Sequence, residues 1–533
     1  MWDTPRVGTN VADLLATAAR AEPGRIALSE AATGRNVTWS VLDDLADRVA
    51  HGLSSAGMVA GYRVMIAATN RIEFVATYFG VLRARMVAVP INPRSATGEV
   101  VRMLVDSGAR MVIADPTTIG TVRTAVLGVR EAMAASGGEA TTPPRVVGIG
   151  TPEEDGERTW DQLVAQTGDP APGETDAESL AVLLYTSGTS GRPRAAMLSH
   201  RAMLANIEQA AAVDPPMITG RDVVLGVLPL FHVYGLNAVL GQVARQHARL
   251  VLVDGFDPEG TLDIVEDEAI SVLPVAPPVF AYWMQVPALE ERLGPVRMIL
   301  SGSAPLAPEL SEAFTARTSL VIHQGYGLTE AAPVVTSGLC STEPNPRSVG
   351  AALPGVEIRL TDDHGATPEE DDGGEILIRG DNLFSGYWPD GADGPDDDGW
   401  WATGDVGYLD EHGDLILVDR IKDLVIVSGF NVYPSEVEDV ITELDAVAQA
   451  AVIGVEDELT GEAVVAYVRP AREIDPAQLA EQVRAHCANR LAGFKQPHRI
   501  HVTDDLPSTI TGKVQKGRLR ATERRRALGL LES

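Results

Sequence analysis

The sequence predicts an α/β fold: a large N-terminal domain built on mixed α/β layers, with a β-rich subdomain, and a small α+β domain at the C-terminus. Three observations lead to this prediction. Short β-rich runs alternate with amphipathic helical patterns up to residue 301. From residue 350 onward, half-buried strand patterns alternate with acidic turns. After residue 422 a compact α+β pattern follows, long enough for an independent small domain.

The first part of the chain alternates between helical and extended patterns. Residues 11–21 and 41–56 carry apolar side chains at three- and four-residue steps, which is typical of amphipathic helices. Between helical segments lie the extended runs 63–67, 86–90 and 110–114. Further extended runs between helical segments lie at residues 222–228, 250–253, 271–275 and 298–301. This alternation predicts sheets with helices packed on their faces.

Two further regions follow, and they differ in their sequence pattern. Residues 356–360 and 375–379 alternate as half-buried strands, and the acidic run 389–398 is interpreted as a solvated loop. A candidate domain boundary near residues 419–422 divides the chain into predicted domains of residues 1–419 and 423–533, and residues 420–422 connect them. In the last domain we expect helices at 434–444 and 476–490 and strands at 450–455 and 463–469.

The charge balance excludes several classes of function. The chain has 533 residues, with 43 Lys+Arg against 74 Asp+Glu, giving a formal net charge of −31. This excess of acidic groups argues against nucleic-acid binding and against electrostatic docking on anionic membranes. The two cysteines, Cys340 and Cys487, have neither disulfide-framework nor zinc-site spacing. With no signal-like or membrane-spanning apolar run, we expect a cytoplasmic protein, and peripheral membrane contact stays open.

The most informative segment is residues 184–194, Leu-Tyr-Thr-Ser-Gly-Thr-Ser-Gly-Arg-Pro-Arg. It follows an apolar strand and combines four aliphatic hydroxyl side chains with two glycines and two arginines. Glycines let backbone N–H groups approach an anion closely, and Arg192 and Arg194 can neutralise phosphate charge. The order of residues is not that of a Walker loop. By itself the pattern leaves two interpretations open, a phosphate-binding loop and an ordinary polar turn.

Four other motifs occur in order after this one. They are Gln-Gly-Tyr-Gly-Leu-Thr-Glu at 324–330, Trp-Ala-Thr-Gly-Asp at 401–405, Asp-Arg-Ile-Lys at 419–422 and Ser-Thr-Ile-Thr-Gly-Lys at 508–513. Together the five motifs resemble the signature of the adenylate-forming superfamily, which includes acyl-CoA synthetases, luciferases and the adenylation domains of peptide synthetases. The chain most resembles a fatty-acid–CoA ligase. It departs from the family pattern at Arg194-Ala195, where Lys-Gly is common.

The resemblance implies a two-step reaction that uses ATP, Mg²⁺ and coenzyme A. A carboxylate attacks the α-phosphate of ATP, and a thiol then attacks the resulting acyl-adenylate. The first step needs charge neutralisation around the phosphates more than it needs a base. The family also implies that the small C-terminal domain is mobile and rotates between the two steps, with Lys422 at the hinge.

The resemblance also implies a set of nucleotide-binding residues. Thr186 and Glu330 are expected to bind Mg²⁺, and Lys513 is the expected catalytic lysine, bridging the substrate carboxylate and the α-phosphate. Tyr326 is expected against the adenine opposite residues 302–305, with Asp405 and Arg420 on the ribose. The full ATP-binding set is Thr186, Ser187, Gly188, Thr189, Ser190, Gly191, Gly302, Ser303, Ala304, Tyr326, Gly327, Thr329, Asp405, Arg420 and Lys513.

The acid and the thiol are assigned to separate residues. His232 matches a position near the acyl carboxylate and is expected to take part in catalysis. The expected pocket walls are apolar or aromatic and carry no fixed charge: His232, Val233, Tyr234, Leu236, Val279 and Phe280. Ser428, Gly429 and Phe430 are expected on the face that receives the thiol. Outside the family context, a histidine among apolar residues is an ordinary core residue, and Lys513 is an exposed surface lysine.

Three functional hypotheses follow, in order of preference. The first is an ATP-dependent acyl-CoA synthetase for a medium- or long-chain fatty acid. The second keeps the adenylation chemistry but acts on an aryl acid, or delivers the acyl group to the phosphopantetheine of an acyl carrier protein. The third is a non-catalytic acyl or nucleotide sensor, which the joint presence of Thr186, Glu330, Asp405 and Lys513 disfavours.

Overall fold

The computed structural model describes most of the chain. The described residues are 9–135, 143–154, 156–168, 175–186, 194–304, 306, 308–343, 345–361, 374–420, 425–432, 434–507, 514 and 516–527. They form two compact units. The first comprises Met1–Pro93, Met103–Leu184 and Ala195–Asp419, and the second comprises Arg94–Arg102, Tyr185–Arg194 and Arg420–Ser533.

The helices of the described residues are distributed along the whole chain. In chain order they are α1 (Asp13–Ala21), α2 (Trp39–Ser55), α3 (Ile72–Arg83), α4 (Thr97–Ser107), α5 (Ile119–Ala135), α6 (Trp160–Val164), α7 (His200–Ala211), α8 (Gln242–Gln246), α9 (Pro258–Asp267), α10 (Pro278–Trp283), α11 (Leu289–Arg292), α12 (Pro308–Thr318), α13 (Pro434–Thr442), α14 (Pro476–Arg490) and α15 (Lys516–Ala527). A π-helix spans Tyr234–Gly241, and single 3₁₀ turns span Thr329–Ala331 and Gly493–Lys495.

The strands alternate with helices in the first part of the chain and follow one another in the later parts. In chain order they are β1 (Ile26–Glu30), β2 (Asn36–Thr38), β3 (Arg63–Ala67), β4 (Val87–Pro90), β5 (Met111–Ala114), β6 (Arg145–Gly148), β7 (Arg158–Thr159), β8 (Leu180–Thr186), β9 (Arg194–Ser199), β10 (Val223–Gly226), β11 (Arg249–Leu252), β12 (Val272–Val275), β13 (Met298–Ser301), β14 (Ile322–Gln324), β15 (Thr336–Ser337), β16 (Ala351–Ala352), β17 (Val356–Thr361), β18 (Gly374–Gly380), β19 (Trp400–Leu409), β20 (Leu415–Arg420), β21 (Val425–Val427), β22 (Phe430–Val432), β23 (Val447–Asp457), β24 (Gly461–Pro470) and β25 (Arg499–Val502).

Two seven-stranded sheets form the main part of the first unit. One has the order β14-β13-β12-β10-β11-β1-β2, and its strands are parallel except at the β1–β2 edge. The other has the order β7-β6-β5-β3-β4-β8-β9. Parallel strands need crossover connections, and the intervening helices supply them. The order of the first sheet is what brings β10, β12, β13 and β14 side by side.

Both faces of the first sheet are covered. Val224 and Leu250 pack into one apolar core, whereas their neighbours Leu225 and Val251 pack into another core on the opposite face. The first of these cores also contains Val64 of the second sheet. Burial on both faces explains why these strands read as continuous apolar runs and not as alternating ones.

The later part of the first unit is β-rich. Strands β17, β18, β19 and β20 form a four-stranded sheet in that order, and β15 pairs with β16. The acidic run 389–398 contains no strand and is partly exposed, as predicted for a solvated loop. This sheet carries Asp405 on β19, so the β-rich region contributes directly to the candidate site.

The second unit contains a sheet of order β22-β21-β24-β23, with β25 paired in parallel to β24. Helices α13 and α14 contribute Val437, Leu479 and Val483 to its core. The prediction of an α/β fold with a smaller α+β C-terminal part is confirmed. Among the helices in the described ranges, none combines the length and apolar composition that a bilayer crossing requires.

Candidate active site

The candidate site of the first unit lies where neighbouring parallel strands end. Strands β10, β12, β13 and β14 are adjacent in the sheet, and the segments that follow their carboxyl ends carry His232, Val279, Gly302 and Tyr326 respectively. In open α/β sheets, ligands bind in the crevice outside the carboxyl ends of the strands. Four residues that sequence analysis placed in two different pockets therefore follow the same edge of one sheet.

Gly302 marks a close approach between the predicted acid and nucleotide residues. A Cβ atom at Gly302 would lie 3.2 Å from Cε1 of Tyr234 and 3.7 Å from the carbonyl oxygen of Gly325, which precedes Tyr326. The next residue, Ser303, has φ of 73°, a left-handed conformation that is uncommon for a residue other than glycine. Ala304 is described beside it, whereas Pro305 lies outside the described residues. The tight turn after β13 thus leaves room for the ring of Tyr234.

Tyr326 and Asp405 are joined directly. The Tyr326 hydroxyl donates a 2.7 Å hydrogen bond to Oδ2 of Asp405, and the Tyr326 main-chain N–H donates to Oγ1 of Thr336 at 3.1 Å. Tyr326 is buried. A carboxylate has about four acceptor positions, so this bond leaves capacity for other donors. The structure therefore brings together the residues predicted for adenine and ribose.

Asp405 lies in a β-bulge of strand β19. Glu375 pairs with Val406, but Leu377 pairs with Ala402, so the register shifts across residues 403–405. Gly404 has φ of 74° within this bulge. The Thr403 hydroxyl donates to the Ile376 carbonyl at 2.8 Å and accepts from the Asp405 N–H at 3.1 Å. The bulge inside the strand therefore sets the direction of the Asp405 side chain.

Glu330 occupies the 3₁₀ turn Thr329–Ala331 and is buried. Its Oε1 accepts a hydrogen bond from the Tyr387 hydroxyl, with an O···O distance of 2.5 Å. Its main-chain carbonyl accepts from the N–H of Phe384 at 2.9 Å. The neighbouring Thr329 is half-buried and Gly327 is exposed. The carboxylate that was predicted to bind Mg²⁺ is thus held in one orientation by residues 384–387.

His232 and Tyr234 follow strand β10 in the chain. Both side chains lie deep inside the first unit and keep partial exposure. Burial lowers the pKa of His232 to about 4, so the imidazole is neutral near pH 7. Burial also raises the pKa of the Tyr234 hydroxyl, which stays protonated. Nδ1 of His232 accepts weakly from the Tyr234 N–H at 3.4 Å. The pair therefore presents polar atoms without net charge.

The other predicted walls of the acid pocket are apolar and differ in their surroundings. Val233 and Leu236 are buried in the core shared by the two sheets. Val279 lies on helix α10 after β12 and is buried. Phe280 is fully buried in the core on the opposite face of the sheet, where its ring meets Phe314 edge-on at 5.1 Å. Their assignment as pocket walls stays a prediction.

Asn70 is a residue that sequence analysis missed. Its amide nitrogen donates to the carbonyls of Gly226 and Leu228, both at 2.9 Å, and its carbonyl oxygen accepts from the Leu230 N–H at 2.9 Å. These bonds fix the segment that leads from β10 to His232. Tyr387 and Thr403 were missed as well. Tyr387 contacts Glu330, which is distant in the chain, and Thr403 contacts Asp405 within the irregular backbone of the bulge. A polar side chain after strand β3 was the one available signal for Asn70.

Several predicted phosphate-binding and catalytic residues cannot be placed. Ser187, Gly188, Thr189, Ser190, Gly191, Lys422 and Lys513 lie outside the described residues. Thr186, the last residue of β8, is half-buried, and its hydroxyl donates to the Arg194 carbonyl at 3.3 Å. Arg420 is described only as the last residue of strand β20. The roles predicted for these residues stay predictions.

The predicted thiol face is a tight hairpin of the second unit. Strands β21 and β22 pair through Val427 and Phe430, which leaves Ser428 and Gly429 as the two loop residues. Both have positive φ, 50° and 81°, as a type I′ turn requires. The Phe430 ring stacks on Phe494 with a centroid distance of 4.6 Å. The hairpin is therefore well anchored, and its contact with a thiol stays a prediction.

The residues present suit the magnesium ion that the family uses. Glu330 supplies buried carboxylate oxygens, which are the hard ligands that Mg²⁺ prefers. Within the described ranges, no group of three or more His, Cys, Asp or Glu side chains is arranged to hold a metal ion. Mg²⁺ is commonly bound by one or two carboxylates together with the phosphates of a substrate, and a single buried carboxylate is compatible with that mode.

Comparison with known proteins supports the same chemistry. The family model described as AMP-binding enzyme matches residues 15–388, and the model of the AMP-binding enzyme C-terminal domain matches residues 436–513. The chain is 33% identical over 511 residues to 4-coumarate–CoA ligase 5 of Oryza sativa subsp. japonica, covering 93% of this chain and 91% of that protein. It is 30% identical to the long-chain-fatty-acid–CoA ligase of Bacillus subtilis (strain 168), covering 97% and 95%.

A solved structure shares the fold over the same extent. The amide bond synthetase McbA from Marinactinospora thermotolerans has 28% sequence identity and a TM-score of 0.83, covering 96% of this chain and 99% of that chain. Enzymes of this family use ATP, Mg²⁺ and CoA. Because the family models match most of the chain and the relatives are similar over nearly its full length, the protein belongs to the AMP-binding, adenylate-forming enzymes and is an AMP-forming acid–CoA ligase.

Proposed function

We propose that this ligase activates an uncharged, mainly apolar monocarboxylic acid, with a medium- or long-chain fatty acid as the preferred substrate. The observation that carries the proposal is the uncharged state of the two buried polar side chains that follow strand β10, His232 and Tyr234. His232 is held uncharged by burial, Tyr234 keeps its proton, and Val279, on helix α10 after the neighbouring strand β12, is apolar and buried. An ammonium or second carboxylate would lose its hydration there without a described charge from these residues to replace it.

The proposed reaction has two balanced steps. A carboxylate oxygen of the acid attacks the α-phosphorus of ATP, giving acyl-AMP and releasing pyrophosphate. The sulfur of CoA then attacks the acyl carbonyl, and AMP leaves while the thiol proton passes to solvent. In this proposal Tyr326 and Asp405 hold the nucleoside, Lys513 stabilises the charge that develops between carboxylate and α-phosphate, and neutral His232 orients the carboxylate.

Mg²⁺ would be bound by Glu330 and would neutralise phosphate charge when present. The buried position of Glu330 and its fixed orientation support this role. Thr186 is proposed as the second protein ligand on the strength of the sequence motif alone. The thiol is proposed to arrive at the Ser428–Gly429 hairpin, and Lys422 is proposed as the hinge.

A second candidate is an aryl acid that carries a polar ring substituent. The Tyr234 hydroxyl, deep in the unit and partly exposed, makes no hydrogen bond within the described part of the chain. A phenol or similar group on the substrate would satisfy it, whereas an alkyl chain would not. The similarity to a 4-coumarate–CoA ligase supports this candidate as well. Transfer to an acyl carrier protein is an alternative to CoA for either acid.

The test is a specificity series with saturating ATP and Mg²⁺. Pyrophosphate release and thioester formation would be measured for saturated fatty acids of increasing length, benzoate- and cinnamate-type acids, and amino acids, each with CoA and with a carrier protein. A buried methylene contributes up to about 0.8 kcal/mol, or about fourfold in kcat/KM. We expect kcat/KM to rise with chain length and then level off. A flat series with a preferred aryl acid would select the second candidate, and a preferred amino acid would contradict both.

A further inference from the structure

Tyr387 holds the carboxylate of Glu330 and is itself held firmly. Its hydroxyl donates the 2.5 Å hydrogen bond to Oε1 of Glu330, and only 8% of either residue is exposed. The segment that contains Tyr387 also binds the backbone of Glu330, because the N–H of Phe384 donates to the Glu330 carbonyl at 2.9 Å. One short segment therefore fixes both the main chain and the side chain of Glu330.

The position of the Tyr387 ring is set by its neighbours. The ring meets that of Phe384 edge-on at 5.0 Å, and Phe384 meets Trp401 edge-on at 5.1 Å. On the backbone, Tyr387 bridges to Ala196, and the next residue, Trp388, donates its N–H to the Ala195 carbonyl at 2.9 Å. The backbone of the segment is thus held against β9, and the packing of the ring against Phe384 opposes rotation of the side chain.

From this geometry we propose that Tyr387 is a positioning residue for magnesium, keeping the Glu330 carboxylate oriented for the metal ion that accompanies ATP. The inference rests on the proposed role of Glu330 in binding Mg²⁺. A hydroxyl that donates to one carboxylate oxygen restricts rotation of the group and so fixes the orientation in which the carboxylate would meet the ion. Such partners of metal ligands are typically worth ten- to a hundredfold in metal affinity.

The alternative is that the hydroxyl only satisfies a buried polar group. A matched pair elsewhere in the chain allows the two roles to be separated. In the second unit, the Tyr467 hydroxyl donates to Oε1 of Glu523 at 2.6 Å, and both residues are buried. Tyr467→Phe removes a tyrosine hydrogen bond from a carboxylate with no proposed metal role, together with the bond that the hydroxyl accepts from Arg526 at 2.9 Å. It is therefore the control for loss of a buried tyrosine–glutamate bond.

The experiment measures ATP binding by calorimetry on the full-length protein, without any acid, in EDTA and over a magnesium series. The variants are Tyr387→Phe, Glu330→Gln, the double variant and Tyr467→Phe, with Tm as the check on folding. For Tyr387→Phe we expect the ATP affinity in EDTA to be unchanged. Magnesium increases the ATP affinity, and we expect the Mg²⁺ concentration that gives half of this increase to be approximately tenfold higher in the variant. In the Glu330→Gln background the second substitution should add little, and Tyr467→Phe should leave the magnesium series unchanged.

Four results would overturn the inference. An unchanged magnesium series in Tyr387→Phe would show that the hydroxyl does not position a metal ligand. Equal weakening in EDTA and in Mg²⁺ would show a general structural role. If Tyr387→Phe weakened magnesium-dependent ATP binding equally in the Glu330→Gln background, or if Glu330→Gln itself had no effect, Tyr387 would not act on metal binding through Glu330. None of these results affects the proposed acid-activating function, which is measured separately by product formation in the wild-type enzyme.

Discussion

The hydroxyl of Tyr326 donates a 2.7 Å hydrogen bond to Oδ2 of Asp405, across 79 residues of sequence. Tyr326 follows the last strand of a parallel sheet, and Asp405 lies in the bulge of an antiparallel one. The bond joins two separately formed parts of the first unit at the predicted nucleoside position. A substitution of either residue should therefore affect the position of the other. The effect of both can be measured on nucleotide binding.

We expect Asp405→Ala to raise the KM for ATP and to leave kcat less affected. A hydrogen bond involving a charged group is worth about 1.5–3 kcal/mol, or about ten- to a hundredfold in affinity. Tyr326→Phe keeps the ring but removes the donor to Asp405, so its effect should be in the same direction and smaller. Initial rates of pyrophosphate release at varied ATP would measure both. An unchanged KM for ATP in Asp405→Ala would remove this residue from the ribose site.

Substitution of Tyr234 should discriminate between the two candidate substrates. Tyr234→Phe keeps the ring against Gly302, where a Cβ would approach Cε1 to 3.2 Å, and removes only the hydroxyl. If the substrate is a fatty acid, kcat/KM should change by less than about threefold, since an alkyl chain makes no hydrogen bond. For a hydroxylated aryl acid we expect a loss of about tenfold, because its polar group would be left without a partner. The matched substrate control is the same aryl acid without its hydroxyl, which should be insensitive.

His200 should make the protein less stable in mild acid. Its Nδ1 accepts from the Val11 N–H at 3.1 Å, and burial lowers the pKa of this histidine from 6.5 to about 4. The unfolded chain therefore takes up a proton at a higher pH than the folded one. Its contribution to stability is complete above pH 6.5 and is lost as the pH falls toward 4, by about 3 kcal/mol in total.

The check is thermal unfolding near neutral pH and at mildly acidic pH. His200→Gln should show a smaller fall in Tm between the two conditions than the wild type. Some fall should remain, because burial also lowers the pKa of His232 and His323. A variant with the same pH dependence as the wild type would contradict the assignment of a neutral, buried imidazole to His200.

Lys513 and Lys422 should separate the two half-reactions. Lys513→Ala should abolish most adenylate formation and spare thioester formation from supplied acyl-AMP, because the ammonium is proposed to act only on the carboxylate and α-phosphate. Lys422→Pro should impair the thioester step instead, because the proline ring fixes φ at the proposed hinge. Rapid-quench measurement of each half-reaction tests both. Equal losses in both steps for Lys513→Ala would count against alternation, and normal turnover in Lys422→Pro would remove the hinge assignment.

Much of the fold followed from local pattern. The run 63–67 is strand β3, and the helix predicted over 476–490 has these bounds in the structure. The π-helix at Tyr234–Gly241 was not predicted, since its wider hydrogen-bond spacing leaves no clear periodic signal. The bulge at residues 403–405 was also missed, because a register shift depends on the partner strand and not on the bulged residues alone.

By itself the sequence determined the alternation of strands and helices, the family to which the chain belongs, and the identities of the reactive groups. These depend on side-chain chemistry and on short spacings between residues, both of which can be read directly from the sequence. The tertiary structure alone decided that Tyr387 holds Glu330, that Tyr326 holds Asp405, and that His232 is neutral. Each of these depends on the order of strands in a sheet and on burial, which bring together residues tens of positions apart and change the free energy of charging them.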